Sequence, residues 1–279
     1  MNGASLIAQR IKDYSSLRIV KIQKVETDTS GVKTFIFRDE ACSKASPGQF
    51  IMVWIPGVDE IPLSLSMMES KGASAITVKR VGVASTKIHS LKSGDIVGIR
   101  GPYGHGFTLM TGDVMLVAGG IGMAPLAPLA KNLAKLSAQI TLIMGAATRS
   151  ELVFPNRIKR ELSNIEIIIT TEDGSYGWKG LATDPAEERL ARQRFNMIYT
   201  CGPEKMIQKM FQLAELYNTP IQVSLERIIR CSIGLCGSCV IGKFRVCKDG
   251  PVFTSEQLRE VKDELGTFKR DFSSKKIKF

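Results

Sequence analysis

Four of the six cysteines stand together at Cys231, Cys236, Cys239 and Cys247, with four, two and seven residues between them; Cys42 and Cys201 lie far away in sequence. Four thiolates can hold a 2Fe-2S cluster, and the C-x4-C-x2-C opening is the spacing of plant-type clusters. Gly234 and Gly237 let the backbone wrap closely around inorganic sulfide. The fourth cysteine sits closer than in the plant-type pattern. Structural zinc is the competing use of the same thiolates, although zinc knuckles usually bring two C-x2-C pairs and only one is present. Disulfides are a third use, disfavoured in a reducing compartment. The chain has only two histidines, His89 and His105, so triad chemistry and histidine-rich metal sites have few candidates, and no catalytic acid or base is assigned.

A second set of residues could hold phosphate. Gly119-Gly120-Ile121-Gly122-Met123-Ala124-Pro125 follows an apolar run and precedes a helix-compatible stretch. Glycines there permit close backbone approach, and the amides at a helix start attract a pyrophosphate. Pro125 takes the last position of a full G-x-G-x-x-G, so a plain strand-to-helix turn is the alternative. Thr200-Cys201-Gly202-Pro203 ends another apolar run, where open parallel sheets place their ligands.

The elements that must position these residues fall into two patterns. Short β-rich runs at 18–25, 32–37, 50–55, 75–81 and 95–100, broken by turn residues such as Ser46-Pro47-Gly48 and Pro56-Gly57, predict an antiparallel barrel or sandwich. After Gly112 the pattern changes. Apolar strands at 114–118, 140–144, 165–170 and 197–200 alternate with helical stretches, among them 125–136 and 203–217, which predicts a parallel sheet. The expected organisation is an N-terminal extension 1–16, a β-barrel 17–110, an α/β domain 111–224, a cysteine module 225–255 and a basic tail 256–279. The module is too short for a core of its own and needs a metal or another staple.

Composition sets the outer bounds. A length of 279 residues gives a prior of about two domains. With 44% hydrophobic and 23% charged residues the chain is an ordinary globular sequence, not a disordered one. The net charge of +11 is partly a tail property, because Lys269, Arg270, Lys275, Lys276 and Lys278 against Asp271 give +4 after Gly266. A solvated terminus is the plain reading of that charge, and a nucleic-acid partner is not expected. The longest uncharged stretch, 114–130, is interrupted by glycines and prolines, so no membrane span is expected. Arg10, Lys12 and Asp13 precede any long apolar run, which points away from a secretory signal and to a cytoplasmic protein.

A β-rich domain followed by an α/β domain with Gly-Gly-x-Gly-x-x-Pro and Cys-Gly-Pro resembles the ferredoxin-NADP reductase superfamily. The first domain of that superfamily binds flavin and the second binds nicotinamide dinucleotide. Leu225-Glu226-Arg227 ahead of the cysteines, with Cys247-Lys248-Asp249-Gly250-Pro251-Val252-Phe253 closing them, narrows the likeness. The module is similar to that of the electron-transfer subunits of NAD-type dihydroorotate dehydrogenases. Flavin subunits of ferredoxin, sulfur and hydrogenase-type oxidoreductases share similar motifs.

The resemblance implies a fold of flavin-binding β-barrel, nucleotide-binding α/β domain and 2Fe-2S module, with FAD, the cluster and NAD(P) as cofactors. The family's Arg-Pro-x-Ser flavin segment reads Ile61-Pro62-Leu63-Ser64 here. The arginine is absent, so its pyrophosphate contact must weaken or pass to a cation such as Lys79 or Arg80. Implied flavin contacts are Pro62, Leu63, Ser64, Val78, Lys79, Arg80, Ser85 and Thr86, the last two in an altered Gly-x-Gly-Thr phosphate turn. Implied nucleotide contacts are Gly120, Gly122, Met123, Cys201, Gly202 and Pro203, with Cys201 near the nicotinamide end. Gly101-Pro102-Tyr103-Gly104-His105-Gly106-Phe107 and Asp173-Gly174-Ser175-Tyr176-Gly177 also match, the first as a domain connection or a ligand contact. The implied partner is an FMN-containing dihydroorotate dehydrogenase catalytic subunit. Location and charge alone, not the resemblance, suggest residues 254–279 as a docking element.

Overall fold

The computed structural model describes residues 16–162, 165–273 and 275–278; the expected extension 1–16 lies outside the described residues except for Ser16. Six antiparallel strands close a barrel in the order β1-β2-β5-β4-β3-β6. They are β1 (Arg18–Thr29), β2 (Val32–Arg38), β3 (Phe50–Ile55), β4 (Asp59–Met68), β5 (Ala73–Lys79) and β6 (Ile96–Tyr103), with short helices α1 (Glu40–Ser43) and α2 (Val83–His89) between them. Side chains alternate across a strand, so Phe35 and Phe37, Ile51 and Val53, Ile76 and Val78, and Val97 and Ile99 fill the interior two by two. Arg18 ties β1 to the far end of β2: it donates to both carboxylate oxygens of Asp39, at 2.7 and 3.1 Å, while Asp39 also caps α1 by accepting the Cys42 N–H.

Sequence periodicity found five of the six strands. The missing one, β4, carries the flavin segment, and Pro62 explains the miss. β4 pairs with β3 from Asp59 to Ser64 but with β5 only from Leu65 onward. Pro62, opposite Met52, therefore has a ladder neighbour on one side, where a residue without an N–H is tolerated. Ile61 to Ser64 are thereby left to line a cleft.

The second half is a seven-stranded sheet in the order β10-β9-β8-β7-β11-β12-β15. Its parallel part comprises β7 (Asp113–Gly119), β8 (Gln139–Ala146), β9 (Glu166–Thr171), β10 (Trp178–Lys179), β11 (Met197–Cys201) and β12 (Ile221–Ser224). Helices α3 (Met123–Lys135), α4 (Pro155–Glu161), α5 (Thr183–Arg192) and α6 (Glu204–Leu216) connect the strands. Val114 to Ala118 are all buried, as a central parallel strand covered on both faces requires.

The cysteine module holds two small strands, β13 (Val240–Ile241) and β14 (Phe244–Arg245), and a helical turn α7 (Val246–Asp249). Its staple is not metal alone. β15 (Val252–Thr254) joins the large sheet antiparallel to β12, and Phe253 is fully buried in the same core as Ile198 and Ile221. The structure also corrects the expected solvated tail. After β15 comes helix α8 (Ser255–Glu260), and Leu258, Val261 and Leu265 are buried in that core. Only the last stretch, a hairpin of β16 (Phe268–Arg270) and β17 (Lys276–Lys278), is largely exposed. Three apolar residues at positions 258, 261 and 265 have helical spacing, a signal that the charge count hides.

Candidate functional site

The carboxyl ends of β7, β8, β9 and β11 face one crevice of about 830 Å³, where a doubly wound parallel sheet binds its ligands. Gly119 and Gly120, Gly145, Thr170 and Pro203 supply its floor, and Ile121, Glu151, Glu172, Asp184, Lys205 and Lys209 stand around them. The glycines are steric requirements. A Cβ on Gly119 would stand 2.6 Å from Pro203 Cδ, and one on Gly145 2.8 Å from the Ala182 methyl. Thr170 is among the residues lining the crevice, and its Oγ1 is buried with no hydrogen-bond partner. A nucleotide with hydrogen-bonding groups along its length fits this lining, which offers close backbone approach and a hydroxyl awaiting a partner.

Next to it, a second cavity of about 330 Å³ opens between barrel and sheet. Phe50, Pro62, Leu63 and Val78 of the barrel meet Ile121, Pro125 and Cys201 of the α/β domain, and Ile229 and Pro251 of the cysteine module. Ser64, Ser224 and Glu226 provide polar edges. A flat aromatic ring with a polar rim, such as flavin, fits these walls. Glu226 is open to the cavity but walled by protein; desolvation pushes its carboxyl above the usual range, opposed by Lys269 and assisted by Glu204. Lys79 lines both cavities and bridges the domains through Glu151 at 3.7 Å.

The stem leading to the cysteines is clamped. Arg227, buried, forms an ion pair with Glu204 at the start of α6, and Glu204 also accepts the Gly266 N–H at 3.0 Å. One carboxylate thus joins the nucleotide helix, the cysteine stem and the C-terminal segment. Against the barrel, the His105 N–H donates to Gly250 O at 2.7 Å, and a Cβ on Gly104 would lie 2.4 Å from Pro251. The Gly101–Phe107 motif is therefore a connection between barrel and cysteine module.

The four clustered thiols lie in two pairs. Leu235 and Cys236 N–H groups donate to Cys231 Sγ, both at 3.4 Å, and the Cys247 N–H donates to Cys239 Sγ at 3.4 Å. Burial acts against ionisation of Cys231, but the N–H groups of Cys236, Ile233 and Leu235 outweigh it and bring the thiol down to about 7. Cys239 falls to about 7 chiefly through the hydrogen bond it shares with Cys247, whose own thiol is raised by the same bond. Among the described residues no three metal-ligating side chains gather as they would around a single ion. Two thiolates per iron is the ligand demand of a binuclear cluster, and the paired donor set fits it. Cys42 and Cys201 are different: burial pushes both thiols far up, which leaves them inert.

Residues 226–259 match the iron-sulfur cluster binding domain of dihydroorotate dehydrogenase B, and residues 116–212 match the oxidoreductase NAD-binding domain. Over 261 residues the chain is 44% identical to the probable dihydroorotate dehydrogenase B (NAD(+)) electron transfer subunit of Methanocaldococcus jannaschii, covering 93% of this chain and 97% of the relative. The chain belongs to this electron-transfer subunit family. The Pyrococcus furiosus member is also 44% identical, across 91% of this chain and 96% of its own. A solved structure of an NADH-dependent reduced ferredoxin-NADP oxidoreductase, studied for flavin-based electron bifurcation, superposes with a TM-score of 0.77 at 32% identity, covering 86% of this chain and 89% of that one. The matched regions fall on the parallel sheet and on the cysteine module that follows it.

Within this family member the structure sorts the residues expected from sequence. Pro62, Leu63, Ser64, Val78, Lys79, Ser85 and Cys201 line the barrel-side cavity; Lys79, Gly120 and Pro203 line the crevice. Gly122, Met123 and Gly202 line neither cavity, although Gly122 abuts Cys201 and Gly202 abuts Gly119. Arg80 and Thr86 are exposed and line neither cavity. Ser85 is occupied as a helix cap: its Oγ accepts the N–H groups of Val81 and Gly82, each at 2.9 Å, and donates to Gly82 O. Sequence reasoning missed Thr170, Gly145 and Ile229. Thr170 ends one expected strand and Gly145 directly follows another, the place where an open parallel sheet holds its ligands, and that position is their only signal. Among the described residues no helix is long and apolar enough to cross a membrane.

Proposed function

We propose that this chain is the redox subunit of a dihydroorotate dehydrogenase, relaying electrons between a nicotinamide dinucleotide and a partner subunit that oxidises dihydroorotate to orotate on FMN. The observation that carries this reading is the barrel-side cavity, whose wall is shared by all three modules: Pro62 and Ser64, Cys201 and Pro125, and Ile229 and Pro251. FAD bound there supplies the conversion between a two-electron hydride donor and one-electron iron chemistry.

The chain's own residues do the positioning. Gly119, Gly120 and Gly145 let a nucleotide lie against the strand ends, and Thr170 offers it a buried hydroxyl. Cys201, at the end of β11, lines the barrel-side cavity next to the crevice, where it would help position a nicotinamide ring against the flavin site. Pro62, Leu63 and Val78 exclude water from one face of the flavin site, while Lys79 provides the cation that position 61 lacks. Cys231, Cys236, Cys239 and Cys247 hold the cluster, and the Glu204–Arg227 ion pair fixes its stem to the nucleotide helix.

The 32% identity to the ferredoxin-NADP oxidoreductase chain favours a second reading, a ferredoxin partner for the same relay. Purification of the native complex distinguishes them. Co-purification of an FMN protein that reduces this chain with dihydroorotate supports the first reading; a ferredoxin partner and no response to dihydroorotate replaces it with the second.

A further inference from the structure

The loop that follows the first cysteine ligand contains a residue that makes little sense as packing. Ser232 has a left-handed backbone, φ 65°, where glycine is the unstrained choice. It is only 2% exposed, and its Oγ is buried with no hydrogen-bond partner. Either feature alone is unfavourable. Glycine at 232 would relieve both at once, because it has neither a Cβ to strain nor a hydroxyl to leave unsatisfied.

The neighbourhood supplies a use for such a hydroxyl. Ser232 adjoins Cys231, whose sulfur already accepts the N–H groups of Leu235 and Cys236. The loop thus turns donors toward sulfur, and the Ser232 hydroxyl is a buried donor in it without a hydrogen-bond partner. We infer that Ser232 donates its hydroxyl hydrogen to a sulfur of the bound 2Fe-2S cluster and so raises the cluster's reduction potential. The physical basis is charge: one added electron makes the cluster more negative, and a donor aimed at its sulfur stabilises the reduced form more than the oxidised one. Ser232 is a positioning and tuning residue; it is not a ligand. The inference rests on the cluster assignment above.

The test compares wild type with Ser232→Ala and Ser232→Gly in the full chain, reconstituted with iron and sulfide. Alanine removes the hydroxyl and keeps the strained backbone, whereas glycine removes both, so a purely conformational effect would separate the two variants. Iron content and the visible spectrum are read first, then the midpoint potential by EPR-monitored titration. The expected result is full iron loading in all three proteins and a lower potential in both variants, with the reduced-to-oxidised ratio at a fixed potential falling about three- to tenfold. Equal potentials in loaded wild type and Ser232→Ala would overturn the role of Ser232 while leaving the cluster standing. A colourless wild-type protein that binds zinc and takes up no iron would remove the cluster assignment, and this inference with it.

Discussion

Gly122 and Cys201 pack so closely that a Cβ on Gly122 would stand 2.1 Å from the Cys201 carbonyl oxygen and 2.7 Å from the Gly202 nitrogen. Two turns that are 79 residues apart in sequence are thereby locked into one partition between the nucleotide crevice and the barrel-side cavity. The obstruction is backbone, which has no rotamer with which to move aside. Gly122→Ala is expected to destabilise the α/β domain by about 2 kcal/mol or more and to weaken NADH binding, measured by urea unfolding and fluorescence titration. Gly120→Ala meets no atom within 4 Å and suffers only its left-handed φ of 52°, so its unfolding midpoint should fall less.

We propose Lys79 as the cation that takes over from the absent arginine at position 61, because Lys79 and Ile61 line the same cavity. Lys79→Ala is expected to raise the FAD dissociation constant about three- to tenfold, as loss of one charge-assisted contact to phosphate at a half-exposed site does. Ile61→Arg in that background should recover the loss, since Ile61 lines the same cavity. Flavin release followed by fluorescence reads both, and an unchanged constant in Lys79→Ala would assign the role elsewhere.

The six cysteines should separate cleanly on substitution. Alanine at Cys231, Cys236, Cys239 or Cys247 removes a cluster ligand and is expected to abolish stoichiometric iron and the visible bands. Alanine at Cys42 or Cys201, both buried and inert, should leave iron content unchanged. Colorimetric iron and sulfide assays on the anaerobically purified variants decide this.

Asp39 gives the barrel a pH dependence. Burial would raise its carboxyl, but the Arg18 guanidinium and the Cys42 N–H outweigh it and hold the folded value below the ordinary 3.8. A pKa that falls on folding gives stability that is complete above 3.8 and lost as pH drops through the lower folded value. Asp39→Asn, which keeps the cap acceptor and loses the charge, should cost about 1 kcal/mol near neutral pH. The gap between the two urea midpoints should close as the solution is acidified below 3.8.

The residues that announced chemistry in the sequence were those whose type is restricted by a ligand: the four clustered cysteines and the glycine turn at 119–122. The parallel sheet was legible for a related reason, since its central strands are continuous apolar runs between helices. What escaped notice depended on pairing and company. β4 was hidden because Pro62 reads as a break unless its one-sided ladder is known. Residues 256–265 read as part of a charged tail because the count of lysines and arginines outweighs Leu258, Val261 and Leu265 until the core they enter is visible. Thr170 and Ser232 looked like any other hydroxyl residue, and only burial without a partner marks them.

The proposed electron path runs from nicotinamide through the barrel-side cavity to the paired cysteines. Low-temperature EPR of the flavin- and iron-loaded chain, frozen anaerobically after addition of NADH, tests that path directly. The predicted result is bleaching of the flavin together with the signal of a reduced 2Fe-2S cluster, approaching about one unpaired electron per two irons. A sample in which dithionite produces that signal and NADH does not would contradict the relay.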